Sequence, residues 1–214
     1  MSTTVYLIRH GQTEGNKENR YIGFTDIDVT PLGEEQAEIT AEHLFKTVKF
    51  DAIYSSDLIR AYRTALITAK KQGIEKVTKI KDLREFNGGD WEGMVYSDIM
   101  AQYPEEYEVW KNDFSAVCCP NGEKIEECYD RVYNALKKIV SENEGKTVAV
   151  FAHGVVIRCL VCRLSGKSLK EIESIPWSTN TSITIAKFDG DKEELLLVQN
   201  DDHLGEEMKT LFKD

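Results

Sequence analysis

Two histidines and two arginines stand at the ends of short apolar runs in a chain that holds only four histidines. Arg9-His10-Gly11 follows the run at residues 4–8, Ser55-Ser56-Asp57 with Arg60 follows residues 51–54, and His153-Gly154 follows residues 147–151. Each run is short, β-branched or aromatic, and bounded by polar residues, which predicts a buried strand. Open α/β sheets bind ligands outside the carboxyl ends of their strands. Three separate strand ends therefore bring two imidazoles and two guanidiniums to one small region. Helices beginning after Ser56 and after Gly154 would aim free N–H groups and positive dipole ends at the same place. Imidazole offers a nucleophile or proton carrier near neutral pH, and guanidinium offers fixed, planar positive charge. Together they suit a phosphoryl group.

The sequence between these motifs predicts the elements that hold them. Thr30 reads as an N-cap and Pro31 as the first residue of a helix whose inner face is Ala37, Ala41, Leu44, Phe45 and Val48. A second helix runs to Gln72, with Leu58, Ala61, Tyr62, Ala65, Leu66 and Ala69 inward and Gly73 as its stop. Residues 155–164 form a third, and two more strands are expected at 182–188 and 194–198. This alternation predicts a three-layer α/β fold, a mostly parallel sheet flanked by helices, as one domain over residues 1–214. Residues 86 to about 130 break the rhythm with Gly88-Gly89, Trp91, Tyr103, Trp110, Cys118-Cys119 and Pro120-Asn121-Gly122. They are expected to form a small, mostly helical cap insertion over one end of the sheet. The exposed edge next to 182–188 is where two copies would pair as a homodimer.

Composition narrows the partners. A formal net charge of −10 argues against nucleic acid, since phosphate-backbone binding needs a basic face. No apolar stretch approaches the ~20 residues that span a bilayer, so no membrane partner is expected. No secretory leader is expected ahead of the first strand, and five cysteines, an odd number, suit free thiols in a reducing, cytoplasmic setting.

The motifs also resemble a known family. Leu7-Ile8-Arg9-His10-Gly11-Gln12-Thr13-Glu14 with Asn16 is similar to the signature of the histidine phosphatase superfamily, the phosphoglycerate-mutase-like proteins. The likeness continues through Gly23-Phe24-Thr25-Asp26, Thr30-Pro31-Leu32-Gly33, Tyr54-Ser55-Ser56-Asp57-Leu58 with Arg60-Ala61, Leu83-Arg84-Glu85 with Gly89-Asp90-Trp91-Glu92-Gly93, and Ala152-His153-Gly154 with Ile157-Arg158. All occur in the family's order. The resemblance implies that His10 is a nucleophile that becomes phosphorylated and that Arg9, Arg60 and His153 complete the phosphoryl pocket. It further implies that Asn16 contacts phosphate, that Gly154 donates its backbone N–H, and that Glu85 is the proton donor. No metal and no cofactor is implied, and the expected partner is a small phosphorylated metabolite.

Within that family, mutases carry a longer insertion and more basic residues for a second phosphate. Here the stretch around Glu85 and the acidic segment after it look like the phosphatase branch, with phosphoglycerate mutase as the alternative and an inactive binding module as the remote one. Ile22 stands where many phosphatase members carry Gln. Other residues take structural readings. Cys159 and Cys162 pack inside a helix, and Arg63, Arg84 and Arg158 make surface salt bridges. His43 sits at a helix edge, and His203 is either solvated or folded over the pocket mouth.

Overall fold

The apolar runs that precede the polar motifs become neighbouring parallel strands. The computed structural model describes residues 1–211. In chain order its elements are β1 (Thr3–Arg9), α1 (Glu14–Lys17), α2 (Pro31–Thr47), β2 (Ala52–Ser56), α3 (Ile59–Gln72), β3 (Val77–Ile80), α4 (Tyr96–Gln102), α5 (Pro104–Asn112), α6 (Ile125–Ser141), β4 (Thr147–Ala152), α7 (Gly154–Leu164), β5 (Ile183–Asp189) and β6 (Lys192–Asn200). The sheet runs β3-β2-β4-β1-β5-β6. Its first four strands are parallel; β5 is antiparallel to β1, and β6 to β5.

Alternation along each central strand divides the core in two. Val5, Leu7, Val148 and Val150 meet Leu136, Ile139, Ile157 and Leu160 of α6 and α7. Ile8, Ile53, Ala149 and Phe151 meet Leu44, Ala65 and Ala69 of α2 and α3 on the other face. Burial on both faces is why these strands read as unbroken apolar runs. Each fully buried side chain of this kind contributes about 1.5–3 kcal/mol relative to exposure. The helix ends follow the expected chemistry: Thr30 Oγ1 accepts from Gly33 N–H at 3.0 Å, and α3 stops at Gly73 with φ 71°.

Three local expectations differ. β3 has no counterpart in the sequence reading, because it is a four-residue edge strand with a lysine and only Val77 buried. Phe45 and Leu66, expected on inner faces, are 55% and 41% exposed. The inner stripes are instead Gly33, Gln36, Ala37, Thr40, Ala41 and Leu44 on α2, and Arg60, Ala61, Thr64, Ala65, Thr68 and Ala69 on α3. Buried polar groups occupy positions that a purely apolar pattern gives to larger side chains.

Between β3 and α6 the chain forms only α4, α5 and short 3-10 turns. Trp110 gathers this segment around itself, with ring centroids 5.6 Å from Tyr21, 5.7 Å from Trp91, 4.8 Å from Phe114 and 6.2 Å from Trp177. Helix α6 runs through residue 130 and packs on α7. The edge beside β5 is β6, a nine-residue strand with Leu196 and Val198 exposed.

Candidate active site

Parallel register places the two central histidines side by side. Arg9 pairs with Ala152, so His10 and His153 come next at the carboxyl edge, and His10 N–H donates to the Ala152 carbonyl at 3.0 Å. Their ring centroids are 5.2 Å apart. The turn after β1 is tight: a Cβ on Gly11 would sit 2.2 Å from the Gly33 carbonyl oxygen, so only glycine lets α2 approach the strand end.

Both imidazoles are buried and held neutral. His10 Nδ1 lies 2.7 Å from the Gly11 carbonyl. That acceptor fixes the proton on Nδ1 and leaves the lone pair on Nε2. Burial, then the charges of Arg60 and Arg9, hold His10 well below the ordinary histidine range. His153 is fully buried, and burial followed by Arg60 depresses it in the same way. Neither of its ring nitrogens has a hydrogen-bond partner among the described residues. It lies beside His10 and directly precedes Gly154, both of which line the pocket.

The guanidiniums come from two directions. Arg9 donates from Nη1 to the Ser178 carbonyl, while its buried Nε has no partner among the described residues. Burial lowers it to about 10, still protonated at neutral pH. Arg60, in the first turn of α3 and 1% exposed, donates to the carbonyls of Thr25 at 2.9 Å and Gly23 at 2.7 Å. That loop is anchored from the other side by Glu92, whose carboxylate accepts from the N–H groups of Gly23, Phe24 and Thr25 at 3.1, 2.7 and 2.9 Å, and from Gly88 N–H at 3.0 Å.

Asn16 sits in the first turn of α1. Its Oδ1 accepts from Thr13 N–H at 3.0 Å and from Asn180 Nδ2 at 3.3 Å, which leaves Nδ2 as its donor end. Glu85 is 8% exposed; Oε1 accepts from Phe86 N–H at 2.9 Å and Oε2 from Val155 N–H at 3.3 Å. Burial raises its carboxyl above the usual range, against the pull of Arg60 and Arg9. Gly154 opens α7, so its N–H has no partner within the helix. A Cβ there would stand 3.6 Å from Arg9 Nε and 3.8 Å from Glu85 Oε2.

One pocket collects Arg9, His10, Asn16, Arg60, Glu85 and Gly154. Six of the seven expected residues line it, and His153 adjoins it. Sequence reasoning missed the outer wall, formed by Thr13, Arg20, Tyr21, Tyr96, Trp110, Val155 and Trp177. The aromatics were visible as residues of an irregular segment, but their convergence is tertiary. Ile22 does line the pocket. Arg158 does form an ion pair, with Glu173 at 3.1 Å, but from a buried position: it is 4% exposed, donates to the Ile175 carbonyl at 2.9 Å, and stacks 4.4 Å from the Trp177 ring. Arg63 and Arg84 do pair with Asp28 and Asp57. His203 neither is fully solvated nor reaches the pocket; it bonds Thr40 at 2.9 Å and stacks on His43 at 5.1 Å.

Cys159 and Cys162 are buried in α7, and all five cysteines are free thiols. Among the described residues no helix is long and apolar enough to cross a membrane, and no group of three or more His, Cys, Asp or Glu is arranged around a metal position.

Comparison with known proteins gives the same grouping. The family model described as histidine phosphatase superfamily, branch 1, matches residues 5–201. Phosphoglycerate mutase-like protein 4 of Arabidopsis thaliana is 37% identical over 204 residues, 94% of this chain and 87% of that protein. Phosphoserine phosphatase 1 of Hydrogenobacter thermophilus is 32% identical over 200 residues, 94% of this chain and 93% of that protein. The solved structure of Bacillus stearothermophilus YhfR superposes with a TM-score of 0.89 at 31% identity, covering 94% of this chain and 98% of that one. A sheet that delivers His10 between two guanidiniums, and relatives matched along nearly their whole length, lead to one assignment: the chain belongs to branch 1 of the histidine phosphatase superfamily.

Proposed function

We propose that this chain is a metal-independent phosphatase of small phosphomonoesters that works through a phosphohistidine at His10. The observation that carries the reading is the 2.7 Å contact between His10 Nδ1 and the Gly11 carbonyl, in a ring kept neutral by burial and two guanidiniums. Nε2 attacks phosphorus while the ester P–O bond breaks, and the Glu85 carboxyl gives its proton to the departing alkoxide. Water then attacks the phosphoryl group, Glu85 takes the water proton, and the P–N bond breaks to release inorganic phosphate. Arg9, Arg60, Asn16, the Gly154 N–H and a donating His153 stabilise the equatorial oxygens, so fixed protein charge meets the charge of the transition state. No step needs a metal.

Hydrolysis is favoured over phosphoglycerate mutation by the outer wall. Tyr21, Ile22, Tyr96, Trp110, Val155 and Trp177 carry no positive charge to match a second phosphate, and Arg20 is engaged by Glu18 at 2.6 Å and the Gly93 carbonyl at 2.9 Å. The same wall suits an alcohol with apolar or planar surface. Five unpaired cysteines fit a reducing compartment, and we assign the chain to the cytoplasm.

Turnover of p-nitrophenyl phosphate in excess EDTA tests the reading. Undiminished phosphate release is expected, and abolition by the chelator would contradict metal independence. Interconversion of 3- and 2-phosphoglycerate faster than phosphate release would make the mutase reading the correct one. A panel of phosphorylated metabolites then identifies the substrate.

A further inference from the structure

The segment that carries Glu85 belongs to no strand or helix; it lies between 3-10 turns at Lys81–Leu83 and Gly89–Trp91. Its carbonyls must find donors elsewhere. One side chain serves two of them and a third in the turn just before. Arg131, on α6, donates from Nη1 to the carbonyls of Asp82 at 2.8 Å and Arg84 at 3.0 Å, and from Nη2 to that of Glu85 at 3.2 Å. Its Nε and Nη2 also pair with the two carboxylate oxygens of Glu123, each at 2.8 Å. These five contacts match the five donors of a guanidinium.

Glu123 completes the bracket. Its Oε2 accepts from Asn87 N–H at 3.3 Å, and its own N–H donates to the Asn87 carbonyl at 3.0 Å. Between them, the Phe86 carbonyl accepts from the Tyr21 hydroxyl at 2.9 Å. The Arg131 and Glu123 side chains are 20% and 12% exposed, so this is not a freely solvated pair. It meets the Glu85 segment at its backbone carbonyls rather than at the Glu85 carboxyl.

We infer that Arg131, held by Glu123, is a positioning residue that sets where the Glu85 carboxyl meets the leaving oxygen; the inference rests on Glu85 being the proton donor, as proposed above. Lysine cannot replace it, because one ammonium cannot serve three carbonyls and a carboxylate together.

The test compares kcat/KM for p-nitrophenyl phosphate, whose leaving group needs little proton donation, with that for the alkyl ester β-glycerophosphate. This quantity reports only the steps through phosphoryl transfer to His10 and not the later attack of water. Arg131→Lys should slow the alkyl ester about 30-fold and the aryl ester less than about 3-fold, as expected for a misplaced acid. Glu123→Gln should move the two rates in the same unequal way, and it keeps the test open should the Arg131 variant fail to fold. In a Glu85→Gln background, Arg131→Lys should change the alkyl rate less than about 2-fold, because the group it positions is already gone. Equal loss on both esters, or an undiminished loss in the Glu85→Gln background, would overturn the positioning role alone. If Glu85→Gln itself slows both esters equally, the proton-donor reading fails and the positioning role fails with it.

Discussion

His10 and Glu85 face the same pocket, yet the chain holds them by different kinds of structure. His10 follows a strand buried on both faces, paired on one side with β4 and on the other with β5. Its carbonyl is met by Asn180 Nδ2 at 3.0 Å, and its ring is fixed by its own neighbour, Gly11. Glu85 stands in an irregular segment whose place depends on Arg131, Glu123 and Tyr21. A ladder spreads its restraint over many bonds, so single substitutions around His10 should leave the nucleophile where it is. A clamp made of a few side chains concentrates restraint, so single substitutions around Glu85 should matter.

Removing the nucleophile is the largest break available. His10→Ala should abolish phosphate release, by about 10⁴-fold or more, as nucleophile deletions do. The melting temperature should move little, since the strand and its packing remain. A variant that turned over near the wild-type rate would refute the nucleophile assignment.

Arg60 joins the two regions, because its charge acts on both His10 and Glu85 while its donors hold the Gly23 and Thr25 carbonyls. Arg60→Ala should lower turnover about 10²- to 10³-fold by loss of a charge-stabilising donor. It should also cost about 3 kcal/mol of stability by leaving buried carbonyls unpaired. A loss of activity with unchanged denaturant midpoint would show that the loop does not depend on it.

The pH profile separates the pair further. His10 is depressed, so its neutral form persists below the ordinary value of about 6.5 and the acidic limb should fall below that pH. Glu85 is raised, so its acid form persists above the usual carboxyl range, and turnover of alkyl esters should decline as pH rises through its titration. Glu85→Gln should flatten that decline; an unaltered basic limb would assign the proton to another group. The smallest effect is expected at Arg20, exposed and already paired with Glu18. Arg20→Ala should change turnover less than about 3-fold, in line with the value of exposed ion pairs. A much larger loss would mean that Arg20 holds a second anionic group of the substrate.

Legibility in the sequence follows the same division. The strand-end motifs were readable because each couples a local apolar run to the residue that immediately follows it, and parallel pairing then brings the motifs together. β3 was not, since its short edge run buries only Val77. The outer wall was not, because Tyr21, Tyr96, Trp110 and Trp177 meet only once the segment between β3 and α6 folds onto the sheet. Nor was the role of Arg131 or Glu92 readable, as the carbonyls that Arg131 holds and the loop that Glu92 anchors lie 46 to 69 residues away and carry no periodic signal. Arg158 shows the same limit: its charge suggested the surface, whereas Phe114 and Trp177 enclose it.

The central claim is a covalent bond between His10 and phosphorus. Glu85→Gln, in which water attack on the intermediate lacks its base, should accumulate that species when mixed with p-nitrophenyl phosphate and quenched in alkali. Mass spectrometry of the digest should then place an acid-labile phosphoryl group on the peptide containing His10, and it should be absent from His10→Ala. Phosphate released steadily with that peptide unmodified, or the label found on another side chain, would contradict the account.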